Sequence, residues 1–455
     1  MWSDAGMTFR IAIVGAGPSG LYAADALASA GVRVDVLDRL PVPFGLVRYG
    51  VAPDHHSIRS VRDTLARVLE RDEVRLLAGV EVGDVATGAD VSVAELLSAY
   101  DGVVLTYGAA RDRHLDVPGE DLPGSIAATD LVAWYCGHPD ADRDAIESAL
   151  AAARSVVVVG VGNVAVDVTR VLTAPLSRLE ATDMPQHVLD ALARSQVTDV
   201  HVLGRRGPAQ ATWTTKELKE LGDLDGVDVL IDPADLDLER VSAALVESDR
   251  VVARNVEVIR GWADHALDTT HRHIHLHFHA RPAEMRGEAH LESVVVERTT
   301  VDDDGAAHGT GETYELPAQL VVRSVGYRGV GLAGVPFDSG RNVIPNTDGR
   351  VTDDTGAVVP GLYVAGWIKR GPTGIIGTNK KDAAATVGSL LADLEGVTPR
   401  EGDGCADILR ARGCEAVGLD GWTAIDAAER ALGASRGRDR TTIHDLAGLR
   451  AAARG

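Results

Sequence analysis

Two glycine-rich turns, each placed directly after a short apolar run, constrain this chain more than any other feature. The first, Gly15-Ala16-Gly17-Pro18-Ser19-Gly20, follows Ile11–Val14; the second, Gly160-Val161-Gly162-Asn163-Val164-Ala165, follows Val156–Val159. In a strand–turn–helix unit the first glycine makes the tight turn, the second lets a pyrophosphate approach the backbone, and the third lets helix pack closely on strand. The helix that opens there presents unpaired N–H groups and the positive end of its dipole to phosphate. A chain with two such units holds two dinucleotides, and the usual reason is to pass electrons between them.

The residues around the turns make the two units different. In the first, a strand Arg10–Val14, a helix Pro18–Ala30 and a strand Arg33–Leu37 lead to Asp38. A carboxylate there accepts hydrogen bonds from a ribose diol and repels a 2′-phosphate, which disfavours NADP at this site. In the second, a strand Ser155–Gly160 and a helix Asn163–Leu172 lead, after an insertion at Thr173–Gln196 with a short helix near His187–Arg194, to the strand Val200–Leu203. That strand ends in Gly204-Arg205-Arg206-Gly207-Pro208. Two adjacent guanidinium groups suit a 2′-phosphate, which takes charge-assisted, bidentate hydrogen bonds. The pattern is that of an α/β protein with two Rossmann-like dinucleotide-binding domains.

Length and charge exclude other classes. At 455 residues the chain has room for two or three domains. A net charge of −22 argues against nucleic-acid binding. No run approaches the roughly 18–20 apolar residues that cross a bilayer, and Met1–Arg10 is too short and polar for a secretory leader, so a cytoplasmic protein is expected. Cys136, Cys405 and Cys414 form no Cys-x-x-Cys pair, which disfavours a dithiol relay and an iron–sulfur centre. Of 45 basic residues only five are lysine, and Lys216, Lys219, Lys369, Lys380 and Lys381 fall in two short segments.

The loop after the first unit, Pro41-Val42-Pro43-Phe44-Gly45-Leu46-Val47-Arg48-Tyr49-Gly50-Val51-Ala52-Pro53-Asp54-His55, resembles the signature of the adrenodoxin reductase-like ferredoxin–NADP⁺ reductases, including actinobacterial members. The segment Gly361–Gly366 and its continuation Trp367-Ile368-Lys369-Arg370-Gly371-Pro372-Thr373-Gly374-Ile375-Ile376-Gly377 carry the same resemblance, with Trp367 where many two-dinucleotide flavoproteins have Asp. The resemblance implies FAD at the first turn, with Gly15, Gly17, Ser19, Gly20, Asp38, Leu46, Val82, Trp367, Gly374, Ile375 and Ile376 in contact with it. Asp38 stands where the family usually has Glu. It implies NADP at the second, held by Val161, Gly162, Asn163, Val164, Arg205, Arg206 and Glu217, with Gly374 also touching it. Glu220, paired with His55, is implied near the nicotinamide, where the two orient the ring and manage the N5 proton.

The implied organisation is an FAD-binding domain split between residues 1–109 and 329–455, with an NADP-binding domain at 110–328 between them. Helices are expected at Ala424–Leu432 and Ile443–Ala453, in a tail whose chemistry is not legible. The implied activity is hydride transfer from NADPH to FAD and single-electron transfer to a ferredoxin-type iron–sulfur protein, or the reverse. The alternatives are an NADPH-dependent flavin subunit similar to the glutamate synthase small subunit, although the cysteine clusters of that family are absent, and a flavin-binding sensor or scaffold. Ferredoxins of this class are acidic, so a locally basic rim is expected on this acidic chain, with Lys219, Arg240, Arg254 and Arg260 as candidates. His271, His273, His275, His277 and His279 alternate with other residues, as on one face of a strand. A solvated histidine face, and no metal, is the expectation there.

Overall fold

Runs of Val, Ile and Leu without polar alternation form strands covered on both faces, and each glycine turn sits at the C-terminal end of such a strand. The computed structural model describes residues 8–236, 238, 240–263, 268–374 and 376–455; the side chains of His56, Ser57, Arg240, Val241 and Ile376 are outside the described set. Two units divide the chain. One comprises the chain up to Val51, His55–Arg111 and Tyr327–Gly455; the other comprises Asp112–Gly326 together with Ala52–Asp54. Both are α/β and Rossmann-like, and the first is discontinuous in sequence.

In the first unit the parallel strands lie in the order Val74–Ala78, Arg33–Asp38, Arg10–Val14, Gly102–Leu105 and Val358–Val364. The returning strand Val358–Val364 pairs Leu362 with Val103 and Val364 with Leu105. It thereby brings the Trp367 segment back to a sheet begun some 350 residues earlier. The C-terminal helices run Leu419–Ala434 and Leu446–Ala453. The second starts later than Ile443 because Asp445 caps it, its carboxylate accepting the Gly448 N–H at 2.6 Å.

The tail has a structural task that was not legible. Glu429 is fully buried and accepts from the two terminal guanidinium nitrogens of Arg48, at 3.1 and 2.5 Å, from Arg440 at 2.7 Å and from the Ile443 N–H at 2.9 Å. Trp422 meets the Phe44 ring edge-on at 5.3 Å. The Pro41–His55 loop is therefore held from behind by the tail, and Phe44 keeps a φ of +87° that a non-glycine residue rarely adopts.

The second unit carries an all-parallel sheet in the order Ser125–Ala127, Leu320–Arg323, Ser155–Val159, Asp199–Leu203, Arg272–His277 and Val227–Ile231. An antiparallel sheet of Ala280–Arg286, Ser293–Val301 and Ala307–Pro317 covers part of one face. The histidine strand is thus an interior strand, and it is shorter than expected. His271 precedes it, and His279 lies beyond its end at a φ of +51°, where the chain reverses into Ala280–Arg286. Nor is the face simply solvated. His201 joins it from the neighbouring strand, 3.0 Å from His277, which in turn lies 3.4 Å from the Tyr314 hydroxyl. Burial, with the nearby His275, pushes His201 down to about 3 and His277 to about 4, so both stay neutral.

Candidate functional site: two dinucleotide cradles

In the first unit the helix Pro18–Ser29 opens at Gly17 with no side-chain cap and with Pro18 in its first turn. Pro at that position loses no hydrogen bond and leaves the following N–H groups for an anion. Gly15 takes a φ of +111°, and a Cβ on Gly20 would stand 2.0 Å from the Gly15 carbonyl oxygen. Gly17, by contrast, has only the Gly45 Cα within 4 Å of where its Cβ would be, at 3.9 Å. The first and third glycines are needed by the fold, and the second keeps a lane open. Gly20→Ala is expected to destabilise the unit by about 1–3 kcal/mol and to lower flavin retention, read as the flavin-to-protein absorbance ratio after gel filtration.

Two further segments converge on this turn. Phe44 donates its N–H to the Ala16 carbonyl at 2.8 Å, and a Cβ on Gly45 would stand 3.0 Å from the Gly17 Cα, so Leu46 begins its short helix beside the turn. Gly366 lies so close to Ser19 that a Cβ there would meet its Oγ at 2.3 Å. The Gly366 N–H is held by Asp382 at 2.6 Å. Next to it, the indole N–H of Trp367 is buried and has no hydrogen-bond partner among the described residues. An orphaned buried donor beside an open glycine lane fits an absent polar ligand.

Asp38 plays two parts. One oxygen accepts the Ala16 N–H at 2.8 Å and the other the Leu40 N–H at 3.0 Å, so the carboxylate ties the glycine turn to the end of its own strand. Burial raises its pKa against the pull of those two donors. Each oxygen keeps lone pairs for a diol. Val82 belongs to the same unit and packs on its core. Gly374 is exposed at a φ of +85°, just before the helix Ile376–Asp393. Ile375 and the side chain of Ile376 lie outside the described residues. Arg370 steadies that turn through the Thr373 carbonyl at 2.9 Å and Asn379 at 2.7 Å.

In the second unit the helix Asn163–Thr173 opens at Gly162, again with no side-chain cap. Gly160 takes a φ of +127°, and a Cβ there would lie 2.2 Å from the Ser324 carbonyl oxygen. Val161, Gly162, Asn163 and Val164 are half-exposed around the turn. The turn is braced by the segment after the arginines: Thr212 donates its N–H to Val161 O at 2.9 Å, and Thr214 to Asn163 Oδ1 at 2.8 Å. Part of Asn163 is therefore committed to the protein. A Cβ on Gly204 would meet Val161 at 2.9 Å, so Arg205 and Arg206 leave the chain directly beside the turn. Arg205 is exposed and Arg206 half-exposed. Among the described residues neither is paired with an acid. Two free guanidinium groups beside an uncapped helix fit a nucleotide that carries an extra phosphate.

Glu217 and Glu220 share the helix Thr215–Gly222 but meet different surroundings. Glu217 is buried and accepts from the Thr214 hydroxyl at 2.8 Å, which makes it part of the helix start. Glu220 lies 3.2 Å from Arg170, a fully buried residue that was not singled out from sequence. Arg170 also holds Asp54, through 2.6 and 2.9 Å hydrogen bonds, and Asp167 at 2.9 Å. Despite the desolvation that opposes its charge, these three acids drive the Arg170 pKa up. The Asp167–Arg170 spacing on an amphipathic helix was the only local signal for this cluster. His55 is buried in the first unit.

The comparisons agree with this geometry. Residues 9–373 match the family described as pyridine nucleotide-disulphide oxidoreductase. The NADPH-ferredoxin reductase FprA of Mycobacterium tuberculosis is 45% identical, over 97% of this chain and 98% of its own length. The mitochondrial NADPH:adrenodoxin oxidoreductase of Arabidopsis thaliana is 38% identical, over 98% of this chain and 95% of its own. The solved structure of Mycobacterium tuberculosis FprA in complex with NADPH superposes with a TM-score of 0.91 at 44% identity, covering 98% of this chain and all of that one. By sequence and by structure, the chain belongs to the pyridine nucleotide-disulphide oxidoreductase family, in its adrenodoxin reductase-like branch.

Proposed function

We propose that this chain is an FAD-dependent ferredoxin–NADP⁺ reductase that exchanges electrons between NADPH and a ferredoxin-type iron–sulfur protein. The observation that carries the reading is the asymmetry of the cradles: Asp38 closes one, and Arg205 and Arg206 flank the other, in a chain 45% identical to an NADPH-ferredoxin reductase. When bound, NADPH supplies a hydride and FAD accepts it, releasing the electrons singly. The protein's share is orientation and electrostatics. Gly15, Gly17, Ser19 and Gly20 present backbone to one pyrophosphate, Asp38 takes the ribose diol, and Leu46, Val82, Trp367, Gly374, Ile375 and Ile376 line the rest of the FAD site. Val161, Gly162, Asn163 and Val164 receive the other pyrophosphate, Arg205 and Arg206 the 2′-phosphate, and Glu217 the nicotinamide nucleotide. His55 and Glu220 orient the nicotinamide and hold the proton balance at the reacting edge. Three unbridged cysteines suit a reducing, cytoplasmic setting.

Anaerobic addition of NADPH to the flavin-loaded protein should bleach the flavin band, and a host ferredoxin should restore it while becoming reduced. An unbleached flavin would point to a sensor or scaffold. Bleaching without electron transfer to any ferredoxin would point to another acceptor.

The partner is met by cations of the second unit. Lys219, Arg254 and Arg260 are exposed and carry no ion pair among the described residues; the Arg240 side chain lies outside them. Against a net charge of −22, such a rim steers an acidic partner over short range only. Raising ionic strength from about 0.05 to 0.5 M should slow ferredoxin reduction by about tenfold, while the NADPH-driven bleaching changes far less. A flat salt profile would refute electrostatic docking.

A further inference from the structure

Three ligand-type side chains meet at the start of two neighbouring parallel strands of the second unit. Asp199–Leu203 and Arg272–His277 pair with Asp199 opposite His273 and His201 opposite His275. Side chains alternate along a strand, so these four residues stand on one face. Asp199 Oδ1 lies 3.3 Å from His273 Nδ1 and 2.9 Å from His275 Nε2. One ligand atom from each of the three residues lies within 4.8 Å of the other two. Nitrogen and oxygen ligands of tetrahedral zinc, about 2.0–2.2 Å from the metal, stand roughly 3.3 Å from one another. The two pairs that include Asp199 are close to that spacing.

The hydrogen bonds also fix which ring nitrogen of His273 faces Asp199. His273 Nε2 is 3.0 Å from the Asp268 carbonyl oxygen. A carbonyl only accepts, so Nε2 donates to it and Nδ1 is the ring nitrogen turned towards Asp199. The outer shell is also present. The second Asp199 oxygen accepts from the Thr198 hydroxyl at 2.7 Å, the Asp268 carbonyl fixes the His273 ring, and His275 stacks on His201 with centroids 4.4 Å apart. Such partners set the tautomer and orientation of ligating side chains. Asp199 and His275 keep 33% and 26% of their side-chain surface open, which leaves a path for the ion.

We propose that Asp199, His273 and His275 bind a zinc ion, with water as the fourth ligand. Two imidazoles and one carboxylate favour zinc over magnesium or calcium. His275 ligates through Nε2 once its proton has moved to Nδ1, so the ring changes tautomer as the ion binds. The site lies at the opposite end of the strand from the Arg205–Arg206 turn, roughly 13–20 Å away at about 3.3 Å per residue. Its role is to clip the two strands together, not to take part in hydride transfer.

Equilibrium dialysis of the tag-free, flavin-loaded protein against zinc chloride, with atomic absorption, tests this. One zinc per chain is expected, with a Tm rise of about 5 °C at a hundredfold excess over Kd. His273→Gln and His275→Gln should weaken binding by more than about tenfold and Thr198→Val by about tenfold. His271→Gln, a histidine outside the trio, should leave it unchanged. Each variant is compared in EDTA for a wild-type Tm; if a histidine variant fails there, Asp199→Asn takes its place. No zinc retained by the wild type would mean that a proton resolves the His273–Asp199 contact, and would overturn the proposal. So would equal weakening by His271→Gln.

Discussion

Replacing Arg205 and Arg206 together with alanine should raise the KM for NADPH about a hundredfold while moving that for NADH less than about threefold. A charge-assisted hydrogen bond contributes about 1.5–3 kcal/mol, and two of them at the lower end give about 3 kcal/mol, or about two orders of magnitude. The lower end applies because Arg205 is exposed and Arg206 half-exposed. Neither is tied to an acid among the described residues, so their loss should leave the fold intact. Steady-state kinetics with both nucleotides decide the matter, and thermal melting serves as the control. Equal losses for NADPH and NADH would mean that the pair shapes the whole nucleotide site and does not read the 2′-phosphate.

Glu429→Ala is expected to destabilise the first unit by about 3–5 kcal/mol, because it leaves buried guanidinium groups without their counter-charge. Arg48 is 1% exposed, Arg440 5% and Glu429 not at all. The Tm should fall by about 10 °C. Flavin release should accompany the fall, since Arg48 stands in the loop whose Gly45 abuts Gly17. Flavin fluorescence read alongside circular dichroism would show both events. A variant that melts like the parent would mean that the tail and the loop are held by the Trp422–Phe44 contact and its apolar surroundings instead.

What could be read along the chain was whatever depends on near neighbours. The glycine turns, Asp38 and the arginine pair sit at fixed short offsets from a strand and a helix, within about 50 residues in each unit. The family resemblance then proposed roles for residues whose types are chemically ordinary, such as Leu46, Val82 and Trp367. The histidine strand was recognised as a strand but placed too openly. Alternation reveals that a residue set shares a face; it cannot reveal that Tyr314 and His201 lie on that face.

Contacts across long sequence distances were not legible, and they determine how the site is held. Glu429 lies 381 residues from the Arg48 it neutralises. Neither residue carries a pattern to mark it, because a buried ion pair is defined by its surroundings and not by its spacing. Arg170 likewise reads as an ordinary helical arginine until Asp54, Asp167 and Glu220 gather round it. By itself the sequence determined that two glycine turns each follow a strand and open a helix, and that only the second is followed by a pair of arginines, because turn geometry is local chemistry. Only the tertiary structure decided that Asp38 also locks its own turn, that the tail braces the loop beside it, and that Asp199 meets His273 and His275. Each of those depends on strand pairing and burial, which no short window of residues specifies.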